Sequence, residues 1–495
     1  MNKFLLMIWI CCVAPAAGAA TLRVAVDALP PSMGNPFRSS LAPTVYATGA
    51  IFDALTKFDT DAKLQPALAE RWENIDPLTW RFHLRAGVRF SNGAPFTSDA
   101  VVNAVDYLIN GASASLEGLK RELNILKSAR AVDELTVDIV TLEPVPLFPR
   151  YASALMIPEP AQWRALGRDG FAKQPVGTGP FKAEAITASR WKLSAYRESW
   201  RAPKVDALEI LMLPDTATRV QALEAGRVDI ALVLGADNIG SVEAAGGRME
   251  SGMVSSVYGL TLITTRGGPL ADVRVRRAIN MGVNRERIVS GLMAGRTTPA
   301  SQPAARAALG YDPTIPQYPY DPAAAKKLLA EAGYPAGLKF VLDAPLGASA
   351  GDTSVFQQVQ SDLRAIGVDM QINTLAPTMY LNKIAQTDFD GDAFPIAWPS
   401  WPILDVWRAF QIHSCLRPVP WFCDQSLMPK LTAALSEWDE AKAIALRQEV
   451  GRAYHEAAPA IFLYELPLFV GLGKNVRTYG MFSNLIAYDK IELDP

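Results

Sequence analysis

The stretch VDALEILMLPDTATRVQALEAGRVDIALVL, residues 205–234, decides the fold class of this 495-residue chain. Both of its ends are short apolar runs rich in Val, Ile and Leu, and each is typical of a strand. Between them, Asp215 or Thr216 can cap a helix that Gly226 terminates. A strand, a capped helix and a second strand at this spacing form a βαβ unit, whose two strands run parallel. The sequence therefore predicts an α/β fold.

A second α/β block follows. Apolar runs at 257–264, 338–342 and 368–373 predict strands, and periodic segments at 272–293 and 353–366 predict helices. The alternation of the two element types again favours a parallel sheet covered by helices.

The tail beyond residue 466 is too short to form a domain. If it packs back on the first block, the chain crosses between the blocks twice, near 255 and near 466. Two crossings make a hinge with a cleft between two lobes.

Three further assignments concern less regular segments. Residues 44–58 have a helical pattern, and 143–181 are rich in Pro and Gly, which marks a boundary. Near the C-terminus, the apolar run at 461–464 is followed by Pro467 and another apolar run.

The first twenty residues have the pattern of a cleavable signal peptide. Lys3 supplies the positive charge, 4–13 are an apolar run, and small residues follow at 17–20. The run is too short to span a bilayer as a stable helix. We therefore expect export to the periplasm, with residues 1–20 removed.

Composition excludes several classes of protein. Lys and Arg number 48 and Asp and Glu number 50, so the chain lacks the excess of basic residues that is typical of nucleic-acid-binding proteins. The mature chain contains no run of 18 apolar residues, which predicts a soluble protein. About 475 residues are too many for one core, so we expect two or three domains.

Residues 394–423, FPIAWPSWPILDVWRAFQIHSCLRPVPWFC, stand out by their tryptophans and prolines. The prolines exclude one regular helix or a central strand. A stiff loop with so many aromatic residues can line a small-molecule site, although the same residues could fill a core. Asp405 could contact a ligand or form an internal salt bridge with Arg408 three residues on.

Cys415 and Cys423 are the two cysteines that remain after cleavage. In an oxidising compartment an even number predicts a disulfide. The alternative is a metal site, but only His413 lies nearby, which is a poor zinc set. No other His, Glu or Cys cluster has metal spacing, so we expect no metal.

Residues 347–351 match G-x-S-x-G, the nucleophile motif of serine hydrolases, with Ser349 at its centre. His413 or His455 could then act as the base. Three residues separate the motif from the preceding strand, which does not suit a nucleophile elbow, and a flexible loop is the alternative.

Six segments together resemble family 5 of the extracellular solute-binding proteins, which serve ABC importers of peptides, nickel, opines and sugars. They follow the family's order and cover most of the mature chain, at 64–72 (LQPALAERW), 80–101 (WRFHLRAGVRFSNGAPFTSDAV), 176–181 (VGTGPF), 226–229 (GRVD), 272–280 (DVRVRRAIN) and 320–334.

This resemblance implies a two-lobed periplasmic-binding-protein type II fold with an extra subdomain. The expected divisions are a first lobe at 21–255 with a subdomain inserted at about 37–175, a second lobe at 256–465, and a return to the first lobe at 466–495. It also implies capture of a small organic solute between the lobes, delivery to an ABC transporter permease, no cofactor and no chemistry on the solute. We expect a monomer.

The resemblance also assigns candidate ligand contacts. Members that bind dipeptides carry an Asp for the peptide amine where this chain has Ser400, so a free dipeptide is disfavoured. From the second lobe we expect contacts by Trp398, Ser400, Trp401 and Asp405. The residues expected to face them are Asn35, Phe37, Thr178 and Tyr258. The Cys415 and Cys423 pair resembles the cysteine pair of dipeptide-type members.

Two rival functions stay open at this point. One is a secreted serine hydrolase that uses Ser349. The other is an exported chaperone-like protein that binds unfolded peptide segments in the cleft.

Overall fold

The computed structural model describes residues 20–39, 42–113, 117–345 and 351–494. Residues 1–19 of the expected signal peptide, and Ser349, lie outside these residues. The strands in chain order are β1 (Thr21–Val26), β2 (Thr56–Phe58), β3 (Leu64–Pro66), β4 (Ala69–Asp76), β5 (Thr79–Leu84), β6 (Leu126–Asp133), β7 (Thr136–Thr141), β8 (Phe181–Ile186), β9 (Arg190–Ala195), β10 (Ala207–Met212), β11 (Ile230–Leu234), β12 (Arg248–Leu262), β13 (Leu338–Pro345), β14 (Val368–Leu375), β15 (Ala393–Pro399), β16 (Ala460–Leu472), β17 (Val476–Thr478), β18 (Met481–Phe482), β19 (Leu485–Ile486) and β20 (Glu492–Leu493).

The α-helices in chain order are α1 (Thr44–Thr48), α2 (Ser98–Asp106), α3 (Leu119–Glu122), α4 (Phe148–Tyr151), α5 (Pro160–Phe171), α6 (Thr216–Glu224), α7 (Ile239–Ala244), α8 (Val273–Gly282), α9 (Arg285–Arg287), α10 (Pro322–Glu331), α11 (Asp352–Arg364), α12 (Pro377–Gln386), α13 (Trp407–Ile412), α14 (Met428–Ser436) and α15 (Glu440–Ala457).

One ten-stranded sheet runs through the molecule in the order β14-β13-β15-β12-β16-β11-β1-β10-β9-β8. At one end, β14, β13 and β15 are parallel, and at the other β11, β1 and β10 are parallel. The two parallel groups are the centres of two α/β lobes. The fold class predicted from sequence is therefore confirmed.

Strands β12 and β16 connect the two lobes. They pair antiparallel from Arg248 opposite Leu472 to Thr261 opposite Ala460. One end of β16 also pairs with β11 of the first lobe, and the other end of β12 pairs with β15 of the second lobe. The chain thus passes between the lobes inside continuous strands. The residues at which one lobe ends and the other begins remain our prediction.

The strands of the βαβ unit, β10 and β11, are parallel, as predicted, but they are not neighbours. Strand β1 lies between them and pairs parallel with both. Helix α6 begins as expected, since the side chain of Asp215 accepts a hydrogen bond from the Thr218 backbone N–H. The position of β1 depends on pairing between residues about 200 apart in sequence, which local patterns do not encode.

An antiparallel sheet of four strands, β4-β5-β7-β6, forms a separate unit within the first 175 residues. Helix α2 covers it and packs on β6 and β7. The aromatic rings of Phe37, Tyr107 and Trp163 meet beside this unit, with ring centroids about 5 Å apart. This arrangement corresponds to the inserted subdomain that the resemblance implied.

One of the less regular assignments is wrong. Residues 44–58 are helical only over α1, and β2 occupies their end. The 143–181 segment contains α4 and α5, and its role as a boundary remains a prediction. Strand β16 continues through Pro467. A register shift between Met253 and Val257 of β12 lies opposite this point, and proline is tolerated at such a bulge.

The C-terminal tail contacts the first lobe. The hydroxyl of Tyr488 donates a hydrogen bond to the Tyr46 carbonyl oxygen over 2.7 Å, and Arg201 binds both Asp53 and Asp489. The assignment of 466–495 as a return to the first lobe remains our prediction.

The glycine-rich turn at 176–181 serves a close backbone approach. The N–H of Gly179 donates to the Ile51 carbonyl over 2.8 Å. A Cβ atom on Gly177 would lie 2.1 Å from the Ile51 oxygen. The glycines of this turn are thus required by packing between two backbones.

Gly177→Ala is expected to lower the free energy of unfolding by about 1–3 kcal/mol, because the methyl group collides with backbone that has little freedom to move. Urea denaturation measures this loss. Gly240→Ala is the matched control, since a Cβ atom there meets no atom within 4 Å, and its effect should not exceed about 1 kcal/mol. Equal stability of the two variants would contradict the close approach.

Candidate functional site

A cavity of about 1550 Å³ lies between the two lobes. Its floor is formed at the β12–β16 crossing, which is the place where these two paired strands pass from one lobe to the other. The floor residues include Ser256, Tyr464 and Pro467. The carboxyl ends of β1 and β11 contribute Asp27 and Leu234 from the first lobe. Ligands in open α/β sheets bind at such carboxyl ends, which makes this cavity the candidate binding site.

The side walls come from the inserted subdomain and from the second lobe. Residues of the 118–126 segment, with Tyr151, line the subdomain side. On the opposite side lie the end of β15, helix α13 and the loop that follows it. Apolar groups make up much of the wall.

The charged residues on the wall are mostly cationic. Five basic and three acidic side chains of the described residues line the cavity, namely Arg38, Lys120, Arg121, Arg408, Arg417, Asp27, Glu122 and Asp352. Lys120 is already bound by the carbonyl oxygens of Ile109 and Ala112. The excess of positive charge favours an anionic group in the ligand.

Trp398 does not reach this cavity. Its side chain is fully buried, its indole N–H donates to the Thr261 hydroxyl, and its ring stacks on His413 with centroids 3.6 Å apart. Strand β15 contributes Ile396, Ala397 and Pro399 to the cavity wall, but not Trp398. Trp398 was expected to contact a ligand, but its side chain packs in the core.

Ser400 and Trp401 lie at the end of β15, and neither side chain is on the cavity wall. Ser400 is fully buried, and its hydroxyl has no hydrogen-bond partner within the described residues. Trp401 packs against Phe482 of the C-terminal tail and against Val45 and Phe58. The neighbouring Pro399 and Pro402 line the cavity instead.

Asp405 binds neither of the partners considered from sequence. Its carboxylate receives hydrogen bonds from Nε and Nη2 of Arg447 at 2.8–3.1 Å, and one from the Trp407 backbone N–H at 2.9 Å. Both side chains are almost completely buried. Arg408 pairs with Glu122 of the subdomain at 2.8 Å. The acid holds the loop in shape, and Arg447 was missed because it lies 42 positions away.

The first lobe also binds this loop. Arg150 of the subdomain donates to the carbonyl oxygens of Ile403 and Leu404 over 2.9 and 2.8 Å. The hydroxyl of Ser153 donates to the Pro402 carbonyl at 3.3 Å. With the Arg408–Glu122 pair, these bonds close one side of the cavity across the lobes.

Three of the residues expected to face the loop are structural. Asn35 caps the turn at Phe37 by accepting from its backbone N–H over 2.9 Å, and the Phe37 ring fills the subdomain core. The Thr178 hydroxyl donates to Asp53 over 2.8 Å. All three side chains are buried outside the cavity, so the structure does not bring them to a ligand.

Tyr258 lies closer to the site. It is partly buried in β12, and its ring lies 5.7 Å from that of Tyr464, which lines the cavity. Burial raises the pKa of Tyr258 well above its ordinary value, and the carboxylate of Asp352, to which it hydrogen bonds, adds to this. Tyr258 therefore remains protonated and orients Asp352.

The predicted disulfide between Cys415 and Cys423 is confirmed, with the Cα atoms 4.5 Å apart. Within its loop, the guanidinium of Arg417 lies 3.9 Å from the ring centroid of Trp421. Both residues line the cavity. The disulfide thus holds a part of the wall that sequence reasoning had treated only as the end of the tryptophan-rich loop.

The cavity-lining residues that the sequence did not point to as ligand contacts include Asp27, Arg408, Arg417 and Trp421. Asp27 directly follows the first strand, which is the usual position of a ligand-binding residue in an α/β sheet. This signal was available. The directions of the Arg408 and Arg417 side chains could not be read from the sequence.

Comparisons with known proteins agree with this architecture. The model of "Bacterial extracellular solute-binding proteins, family 5 Middle" matches residues 63–411. "Di/tripeptide-binding protein 2" of Pseudomonas aeruginosa is 27% identical over 99% of this chain and 98% of its own length. "Glutathione-binding protein GsiB" of Salmonella typhimurium is 30% identical over 73% of this chain and 70% of its own length. The solved structure of DppA from Helicobacter pylori with the peptide STSA has a TM-score of 0.80 at 23% identity and covers 96% of this chain and 98% of its own.

The fold and the cavity between its lobes define a two-lobed solute-binding protein. The chain belongs to family 5 of the bacterial extracellular solute-binding proteins, which work with ABC importers. Its function is capture of a solute between the lobes for such an importer. Members of this family are periplasmic or extracellular binding proteins. Within the described residues, no helix is both long enough and apolar enough to cross a bilayer.

Replacing Arg447 by Ala is expected to lower the free energy of unfolding by about 3–5 kcal/mol, because the buried Asp405 carboxylate loses its partner. Chemical denaturation measures the change. Lys430→Ala is the control, since Lys430 pairs with Glu449 on the surface and such pairs contribute about 1 kcal/mol or less. The account of the loop is wrong if the two variants lose the same stability.

Proposed function

We propose that this chain is exported to the periplasm, loses residues 1–20, and binds a short peptide or a peptide-like solute in the cavity between its lobes. It then delivers that solute to an ABC transporter permease. The protein acts as a monomer and performs no chemistry on the solute.

The cavity is the observation that carries this proposal. Its volume of about 1550 Å³ exceeds the roughly 300–1,000 Å³ that is usual for small-molecule pockets. Walls from both lobes and from the subdomain surround it, so closure can remove water from most of a bound solute. A peptide of a few residues fits these dimensions better than a single ion or an amino acid.

The composition of the wall also supports a peptide-like solute. Apolar side chains such as Ile396, Ile403 and Leu468 accept varied side chains, while a few charged groups can fix the ends. Ser400 is neutral and buried away from the cavity, so it supplies no acid for a peptide amine. One carboxylate oxygen of Asp27, Oδ1, has no partner among the described residues and is the acceptor we propose for an amine.

The names of the relatives agree with this class. The Pseudomonas aeruginosa relative is named for di- and tripeptides and the Salmonella typhimurium relative for glutathione, which is itself a modified tripeptide. Transferring this ligand class to the present chain is our proposal.

The rival functions have less support. His413 is fully buried against Trp398, and burial lowers the pKa of its imidazole well below the ordinary value. The ring of His455 stacks on Tyr318, and its Nδ1 lies 2.8 Å from the Ser301 carbonyl oxygen. Neither histidine lines the cavity. The bonds from Arg150 to the loop close a bounded cavity, which suits a small solute better than a long unfolded segment.

The test is mass spectrometry of protein purified natively from periplasm, with small-angle scattering before and after removal of any bound molecule. We expect one peptide-like molecule per chain and a larger radius of gyration after its removal, because the lobes separate. Ala397→Trp, which fills the cavity, should weaken retention at least about tenfold by steric exclusion, and Ala397→Ser should not. Absence of any bound molecule, with no change in scattering, would contradict the proposal.

A further inference from the structure

The wall formed by α13 and the disulfide loop carries three hydrogen-bond donors without acceptors. They are Nη1 of Arg408, Nε of Arg417 and the indole Nε1 of Trp421, and each is buried and unpaired within the described part of the chain. All three side chains line the same cavity. Buried donors without acceptors cost free energy, so native structures rarely keep them unless a ligand or water supplies the acceptor.

Each arginine is held by other hydrogen bonds, which do not use its unpaired donor. Arg408 uses Nη2 to bind Glu122. Arg417 uses Nη2 to donate to the Thr387 hydroxyl over 2.8 Å and to the Ile384 carbonyl over 3.3 Å, and its plane lies on the ring of Trp421. A guanidinium fixed in this way loses little further conformational freedom when it binds an anion.

The environment strengthens an anion's attraction to this wall. Burial lowers the pKa of Arg417, which reflects the loss of water around its charge. Trp421 is only 2% exposed, and its N–H is a donor that cannot accept. Guanidinium and indole donors together match the lone pairs of a carboxylate.

We propose, resting on the function proposed above, that Arg408, Arg417 and Trp421 form the subsite that binds the carboxylate of the solute. This assigns the substrate class as anionic peptides and peptide-like acids with a free carboxylate. Glu122 of the subdomain accepts a hydrogen bond from Nη2 of Arg408 and so holds that guanidinium towards the first lobe. Binding of the carboxylate therefore also ties the second lobe to the subdomain through Arg408.

The experiment uses the mature protein, unfolded in denaturant to strip bound molecules and refolded with its disulfide intact. It is incubated with a pancreatic digest of casein mixed with glutathione, or with the same mixture after methyl esterification of its carboxylates. Retained molecules are separated by filtration and quantified by mass spectrometry. We expect esterification to reduce retention at least about tenfold, because it removes the charge that the arginines bind.

Variants test whether Arg408 and Arg417 bind the carboxylate. Arg417→Gln and Arg408→Gln should each reduce retention of the untreated mixture at least about tenfold, and Arg417→Lys should recover part of it, since the charge returns without the planar fork. Arg364→Gln, an exposed position at the end of α11 in the second lobe, is the matched control and should retain as much as the wild type. Circular dichroism and thermal unfolding confirm that each variant is folded.

The possible failures are distinct. Equal retention of untreated and esterified molecules, or full retention by the folded Arg408→Gln and Arg417→Gln variants, would overturn the carboxylate subsite and leave the proposed function standing. Retention of nothing from either mixture by the wild type would contradict the proposed function, and the subsite with it.

Discussion

Backbone pairing between β12 and β16 holds both lobes in one sheet, and the binding cavity depends on it. The two strands share an antiparallel ladder that is interrupted only at register shifts, the larger one between Met253 and Val257. At this shift Ser255 adopts a φ of +51°, which is rare for a residue with a Cβ atom, and Pro467 on the partner strand donates no hydrogen bond. The ladder is therefore weakest where it passes from one lobe to the other. This is where a small change in backbone angles can open or close the cavity.

The loop between β15 and α13 joins the second lobe to the subdomain. Asp405 and Arg447 fix its conformation from the second lobe, and Arg150 binds its carbonyl oxygens from the first. Because backbone carbonyls rather than side chains are bound, this contact does not depend on the loop's side chains. The flanking Pro399 and Pro402 and the wall beyond α13 line the cavity, so one segment combines a structural clamp with part of the cavity wall.

Much of the fold was predictable because its signals are local. Helix caps at Asp215, Asp272 and Asp321 and the strands of both lobes follow from short patterns. The insertion of β1 between β10 and β11 was not predictable, since it depends on distant pairing. The candidate binding site was harder to predict from the sequence. Trp398 and Asp405 were expected to contact the solute, but the burial of Trp398 in the core and the arginine partner of Asp405, 42 positions away, are decided by tertiary packing. The unpaired buried donors of Arg408 and Arg417 could be found only once the cavity was known.

The most direct measurement is a crystal structure of protein purified natively from periplasm without added ligand. The account predicts electron density for one organic molecule enclosed between the lobes, in contact with the β12–β16 crossing, the subdomain and the wall beyond α13. A stoichiometric bound molecule located on an outer surface, with the cavity between the lobes filled only by water, would contradict it.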